Sequence, residues 1–302
     1  MLRWLGLVCL SVLALVAPAR AGAHGGEAPN VVLIVWNDAT LERLGFLGAG
    51  GSSGSTPRLD ALVAGGARFP RGTQVTSRGR PTGAVLLTGR TPHASGVYYQ
   101  TGPKKLAPEG TLGALLAARG YATLHAGKLK EGAAAGFGFA RVAEDLIENG
   151  SGAVTAFVEE FAGKQPLFVL WAPAVPEGYG AKNLDGELGA LLDALTAKGA
   201  LANTLFAFVT NGDAKGHEFS ARECAEARAR NPMAFVWPGH VTPGERAELV
   251  TPLDVLPTLL ELLAVPPPAG LEGRNLRPLL EGAAADPAWG ERSVLGEYYE
   301  PQ

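Results

Sequence analysis

The chain has 302 residues, 47% of them hydrophobic, and a formal net charge of −3 from 26 basic and 29 acidic side chains. That length suits one large domain with a sizeable core, and the absence of like-charge blocks or a basic stripe excludes nucleic acid as a partner. Glycine and proline, 41 and 22 residues, stay below the level of a low-complexity chain.

Residues 1–21 read as a secretory signal. Arg3 supplies the positive start, an apolar centre runs over residues 5–16, and Ala19-Arg20-Ala21 offers a small-x-small cleavage site. The apolar run is shorter than the ~20 residues that a membrane span needs. The expectation is a mature chain beginning near Gly22, periplasmic or secreted, with no membrane span after cleavage. Its formal charge falls from −3 to −5 with the loss of Arg3 and Arg20. Cys9 leaves with the signal, so Cys224 stands alone and no intrachain disulfide is expected. Residues 22–28 form a loose leader, and residues 29–302 the domain.

Val31-Val32-Leu33-Ile34-Val35-Trp36 is a continuous apolar run of the type buried on both faces of a parallel sheet. It delivers Asn37 and Asp38 at its C-terminal end, where open α/β sheets place ligands. A lone aspartate there also serves as a turn or helix-cap residue. A Gly/Ser loop over residues 48–55 leads to Thr56-Pro57, expected to cap a helix with Leu59, Leu62 and Val63 at apolar spacing. The stretch TSRGRPTGAVLLTGRTPHASGV, residues 76–97, follows. Pro81 just inside and Gly89 just past Ala84-Val85-Leu86-Leu87 predict a short buried helix. The loop before Pro81 would lie at its positive end, which welcomes an anion.

A helix is expected near residues 111–119 and a strand over 122–125, running into Gly127-Lys128-Leu129-Lys130-Glu131-Gly132. Further on come a helix over 153–161, a strand over 167–171 and an amphipathic helix beginning at Leu184-Asp185. A buried strand over 205–210 ends at Asn211-Gly212-Asp213. This alternation gives an α/β fold with a mostly parallel central sheet flanked by helices.

Residues 76–97 resemble the sulfatase signature of the alkaline phosphatase superfamily, Cys/Ser-x-Pro-Ser-Arg followed by a small-residue and Leu-Leu run and Thr-Gly-Arg. The match is specific from Pro81 to Arg90 and fails at the chemistry, with Gly79 at the nucleophile position and Gly83 at the motif's arginine. Thr56-Pro57-Arg58-Leu59-Asp60, Pro232 to Gly239, Leu253 to Leu260 and Gly270 to Leu276 also resemble family segments. The resemblance implies an alkaline phosphatase/sulfatase-like fold, with the smaller C-terminal antiparallel subdomain absent or truncated. It implies cation ligands at Asn37, Asp38, Asn211 and, one residue along, Asp213. It implies anion contacts at Lys128 and Lys130, with Arg80, His217 and Arg222 near the same cleft.

Gly79 has no side chain to become a formylglycine or to attack with. Thr82 lies ~4.5 Å further along the helix axis, and Thr76 and Ser77 read better as loop or capping hydroxyls. Calcium takes six to eight oxygens, several from carboxylates, whereas this set brings Asp38 and Asp213 only, so weak Ca2+ binding is expected. Three readings stay open. The chain is an exported sulfatase-like protein that binds sulfate, phosphate, a sulfated glycan or a protein partner without hydrolysis; or a divergent hydrolase with another nucleophile; or a structural remnant of a longer enzyme.

Overall fold

The computed structural model describes residues 27–37, 44–50, 56–76, 79–98, 106, 108–127, 129, 137–143, 150–173, 181–211, 230–284 and 286–297. Its frame is one sheet with the strand order β4-β3-β5-β1-β6-β7-β2-β8. The strands are β1 Asn30–Asn37, β2 Ala67–Phe69, β3 Ala122–Gly127, β4 Arg141–Ala143, β5 Leu167–Ala172, β6 Thr204–Asn211, β7 Met233–Val236 and β8 Gly244–Glu245. From β4 to β6 the neighbours are parallel, while β7 runs antiparallel to both β6 and β2. The mostly parallel α/β fold expected from sequence is what the chain adopts.

β1 is central because its side chains can be buried on both faces. Val31, Leu33 and Val35 pack with Leu86 and Leu87 of α2 (Gly79–Thr88), Leu112 and Leu116 of α4 (Leu112–Ala117), and Leu259 of α7 (Val255–Leu262). Val32, Ile34 and Trp36 pack on the other face with α1 (Pro57–Ala64), α5 (Gly150–Phe161) and α6 (Ala181–Ala197). The short helices α3 (Pro92–Ser95) and α8 (Arg277–Leu280) complete the order. Burial of each large aliphatic side chain contributes ~1.5–3 kcal/mol, so the two-sided burial of β1 dominates the middle of the domain.

The amino edge of the sheet is pinned by a buried amide. Asn30 Nδ2 donates to Thr204 Oγ1 at 3.4 Å, and its Oδ1 accepts from Leu167 N at 3.1 Å, tying the starts of β1, β6 and β5 together. α1 departs from expectation at its start. Thr56 makes no side-chain cap; its hydroxyl donates to Asp60 Oδ1 at 3.0 Å. The cap comes instead from Asp185 on α6, which accepts from Arg58 N and Leu59 N at 3.0 and 2.9 Å. A carboxylate at a helix N-terminus suits both the free N–H groups and the macrodipole.

Other boundaries move slightly. α5 and α6 each begin three residues before the expected starts, and β3 runs two residues further, to Gly127. No helix among the described residues is long and apolar enough to cross a membrane, and after β8 they contain no further strand.

Candidate functional site

The parallel strands end together at one edge. Asn37 pairs in register with Asn211, and Gly127 with Ala172, so β1, β6, β3 and β5 deliver their last residues to a common rim. This is where an open α/β sheet offers a crevice to a ligand. Two of the expected cation positions, Asn37 and Asn211, are therefore brought side by side.

Asn37 is buried, and its amide nitrogen donates to the carbonyls of Ala172 and Pro173 at 3.4 and 3.2 Å. An aspartate there would have no N–H to donate, so the amide serves as a clamp between the ends of β1 and β5. A cation ligand at this position would have to act through Oδ1.

Gly127 ends β3 with a φ of 90°, and a Cβ there would collide with the carbonyl oxygen of Ala172. Only glycine lets the chain leave β3 so close to β5, and Lys128 is the next residue in sequence. The glycine before the lysine thus has a steric reason of its own.

α2 starts at Gly79, two residues earlier than the Pro81 signal implied. Its first N–H groups have no intrahelical partner. The helix is tied back to the preceding loop through Thr82, whose hydroxyl donates to Thr76 O at 3.4 Å; both residues are buried. Thr82 is thus a positioned hydroxyl bound to the backbone and not an exposed nucleophile.

Asp38, Ser77, Lys128, Lys130, Asp213, His217, Arg222 and Cys224 lie outside the described residues, as do the side chains of Arg80 and Asn211. Among the described residues no group of three or more His, Cys, Asp or Glu side chains could hold a metal ion. Asn37 is bound to the end of β5 through its nitrogen, and the carboxylates expected from sequence, Asp38 and Asp213, lie outside the described residues.

At the other end of α2 Gly89 stops the helix as expected, and its neighbours have partners that were not apparent in the sequence. Gly89, at φ 62°, closes the helix with its N–H on Val85 O at 2.8 Å. Thr88 Oγ1 donates to Ala84 O at 2.7 Å and accepts from Arg90 N at 3.3 Å. Arg90 Nη2 reaches Ala269 O at 2.6 Å, and Glu272 accepts from Thr91 N at 2.6 Å. Behind them Asp254, fully buried, holds Arg292 in a two-pronged ion pair at 2.7 Å and accepts from Arg274 N at 2.7 Å and Thr251 N at 2.8 Å. The signal was present as a capping-box pattern, Thr251 with Asp254 three residues on, before an apolar helix.

A family model described as sulfatase matches residues 29–150, and one described as N-sulphoglucosamine sulphohydrolase, C-terminal, matches residues 216–302. Human arylsulfatase A is 29% identical over 363 residues, covering 88% of this chain and 70% of its own. Human N-acetylgalactosamine-6-sulfatase is 24% identical, covering 88% of this chain and 68% of its own. A protein solved with its substrate D-glucosamine-2-N,6-O-disulfate superposes with a TM-score of 0.75 at 17% identity, over 91% of this chain and 84% of its own. An alkaline phosphatase superfamily protein from Vibrio parahaemolyticus gives 0.69 at 21% identity, over 84% and 71%.

Proposed function

Because the chain belongs to the sulfatase family of the alkaline phosphatase superfamily, we infer that it is an exported member that holds a sulfate- or phosphate-type anion without hydrolysing it through a formylglycine. One observation carries this reading: α2, the helix that bears the family signature, begins at Gly79. Gly79 stands where the signature has its Cys or Ser, and a residue without a side chain can be neither oxidised nor used for attack.

What remains is the chemistry of anion capture. Free N–H groups at the start of α2 attract negative charge whether or not a nucleophile is present. Lys128 and Lys130, following the β3 end, add cations, with Arg80, His217 and Arg222 as further contributors to the same cup. Structural neighbours solved with a glucosamine disulfate and with a neocarrahexaose favour a sulfated glycan as the source of the anion. A hydrolase acting through Thr82 is disfavoured because that hydroxyl is buried and bound to Thr76 O.

Calcium binds weakly in this reading, through Asn37 Oδ1, Asp38, Asn211 and Asp213, with a dissociation constant at or above ~100 μM. Sub-micromolar binding by calorimetry would contradict that donor set. For export, the Arg3 start and Ala19-Arg20-Ala21 site predict a native N-terminus near Gly22, and recovery of Met1 by N-terminal sequencing would contradict it.

The deciding experiment is sulfate titration of the purified mature chain beside turnover assays on aryl sulfates and phosphates, with and without calcium. We expect no turnover and weak sulfate binding. Lys128→Ala should weaken that binding by roughly ten-fold or more, since a charge-assisted hydrogen bond contributes ~1.5–3 kcal/mol. Turnover that disappears in Thr76→Ala, Ser77→Ala or Thr82→Ala would establish the enzyme by another route.

A further inference from the structure

The geometry assigns Gln74 and Asn231 as positioning residues that set the end of β6 for the anion cup, an inference that rests on the anion-binding reading above. The antiparallel ladder between β6 and β7 stops at Val209↔Met233, yet β6 continues beside β1 through Thr210 to Asn211. Beyond Met233, the first residue of β7, two side-chain amides bond the backbone of Thr210. Asn231 Oδ1 accepts from Thr210 N at 2.9 Å and from its hydroxyl at 2.8 Å, while Gln74 Nε2 donates to Thr210 O at 3.3 Å. The orientation of each amide follows from the partner, since an N–H needs an acceptor and a carbonyl needs a donor.

These bonds join three segments that lead into the cup. Gln74 lies in the loop that reaches Thr76 and then α2, Thr210 immediately precedes Asn211, and Asn231 lies two residues before β7. Asn231 N also donates to Gly72 O at 2.6 Å, and Thr73 and Arg230 form an antiparallel bridge. The start of α2 and the end of β6 are thereby fixed relative to each other through side chains.

Stability alone does not account for the two amides. Gln74 and Asn231 are 6% and 0% exposed, and among the described residues Gln74 Oε1 and Asn231 Nδ2 have no hydrogen-bond partner. A buried unmet donor or acceptor is unfavourable, whereas an apolar group of similar shape is tolerated. Residues that break a local rule in this way belong to functional sites more often than to plain cores.

The test uses Gln74→Met and Asn231→Leu in the mature chain, reading sulfate affinity by calorimetry, amide hydrogen exchange at Thr210, and cooperative thermal unfolding. We expect faster exchange at Thr210 in Asn231→Leu, which removes the acceptor of its N–H, sulfate affinity roughly ten-fold lower in each variant, and a melting transition that is lowered yet still cooperative. If Asn231→Leu does not fold, Gln74→Met decides alone, being close in shape and lacking only the amide. Unchanged exchange at Thr210 in Asn231→Leu overturns the clasp. Faster exchange with wild-type sulfate affinity overturns its positioning role. Wild-type protein that takes no sulfate overturns the anion-cup reading and this inference with it, whereas sulfate bound equally by wild type and variants overturns this inference alone.

Discussion

The two ends of α2 obey different constraints. At its C-terminal end, Thr88 bonds Ala84 O and Arg90 N, while Gly89 and Arg90 are held by Glu272 and by the carbonyl of Ala269, with the Asp254–Arg292 pair behind them. At its N-terminal end the first turn begins at a glycine beside the rim where four parallel strands finish. Each residue at the closed end has a partner inside the protein, so a change there is felt by the fold. A side chain that meets only a ligand adds little to stability, so its position can change while the scaffold persists. Thr-Gly-Arg, held by such partners, is the part of the family resemblance that reads clearly, while Gly79 lies at the open end.

The comparison can be broken most strongly at Asp254. Its carboxylate takes two bonds from Arg292 and two from backbone N–H groups in a fully buried setting. Asp254→Ala leaves a mostly buried guanidinium unpaired and should cost ~3–5 kcal/mol in denaturant unfolding. A loss under ~1 kcal/mol, the scale of a surface pair, would show that the closed end is not held as described.

Gly89→Ala comes next. The residue sits at φ 62°, and an added Cβ would lie 2.8 Å from Leu271 Cδ2 and 3.2 Å from Leu256 Cδ2. Left-handed backbone alone costs a non-glycine residue ~1–2 kcal/mol, so a measurable fall in unfolding free energy is expected, with sulfate affinity unchanged.

The open end is sharpened by Thr82→Ala. Removing the hydroxyl that reaches Thr76 O should cost ~0.5–1.5 kcal/mol of stability and leave sulfate affinity nearly as it was. A large affinity loss would make Thr82 part of the cup.

Smallest of all should be Glu160→Gln, remote from both ends. Hydrogen bonding to Arg141, at 2.7 and 2.8 Å, is the main cause holding the Glu160 carboxyl below the ordinary glutamate value. A lowered carboxyl contributes stability above its unfolded value and loses it as pH falls through the folded one. Wild type and variant should therefore differ slightly in melting temperature at neutral pH and converge in acid.

The central strands were legible because continuous apolar runs such as Val31 to Trp36 leave little choice but two-sided burial. β2, β4 and β8 were not, since two or three residues carry no periodicity. The cap of α1 was missed for another reason. Thr56 looked sufficient in the local sequence, and Asp185 acts from across the fold, 126 residues away from Leu59. At the site, chain position was legible where strands end, at Asn37 and Asn211, while the downward turn of the Asn37 amide onto β5 depends on a neighbour that sequence does not reveal. The amides at Gln74 and Asn231 lie outside every motif and became visible only with the start of β7 at Met233.

The central place of β1 also sets a timetable for synthesis. Its partners are β5 and β6, and the pair Asn37↔Asn211 joins residues 174 positions apart. At a translation rate of ~5–20 residues per second, the second partner emerges on the order of ten to thirty seconds after the first strand. During that interval an uncharged, β-branched segment with both faces apolar lacks at least one of its two partners, and that is the composition that seeds strand-to-strand aggregation. The strand that contributes most to the finished core is therefore the one that most needs a chaperone while the chain is being made.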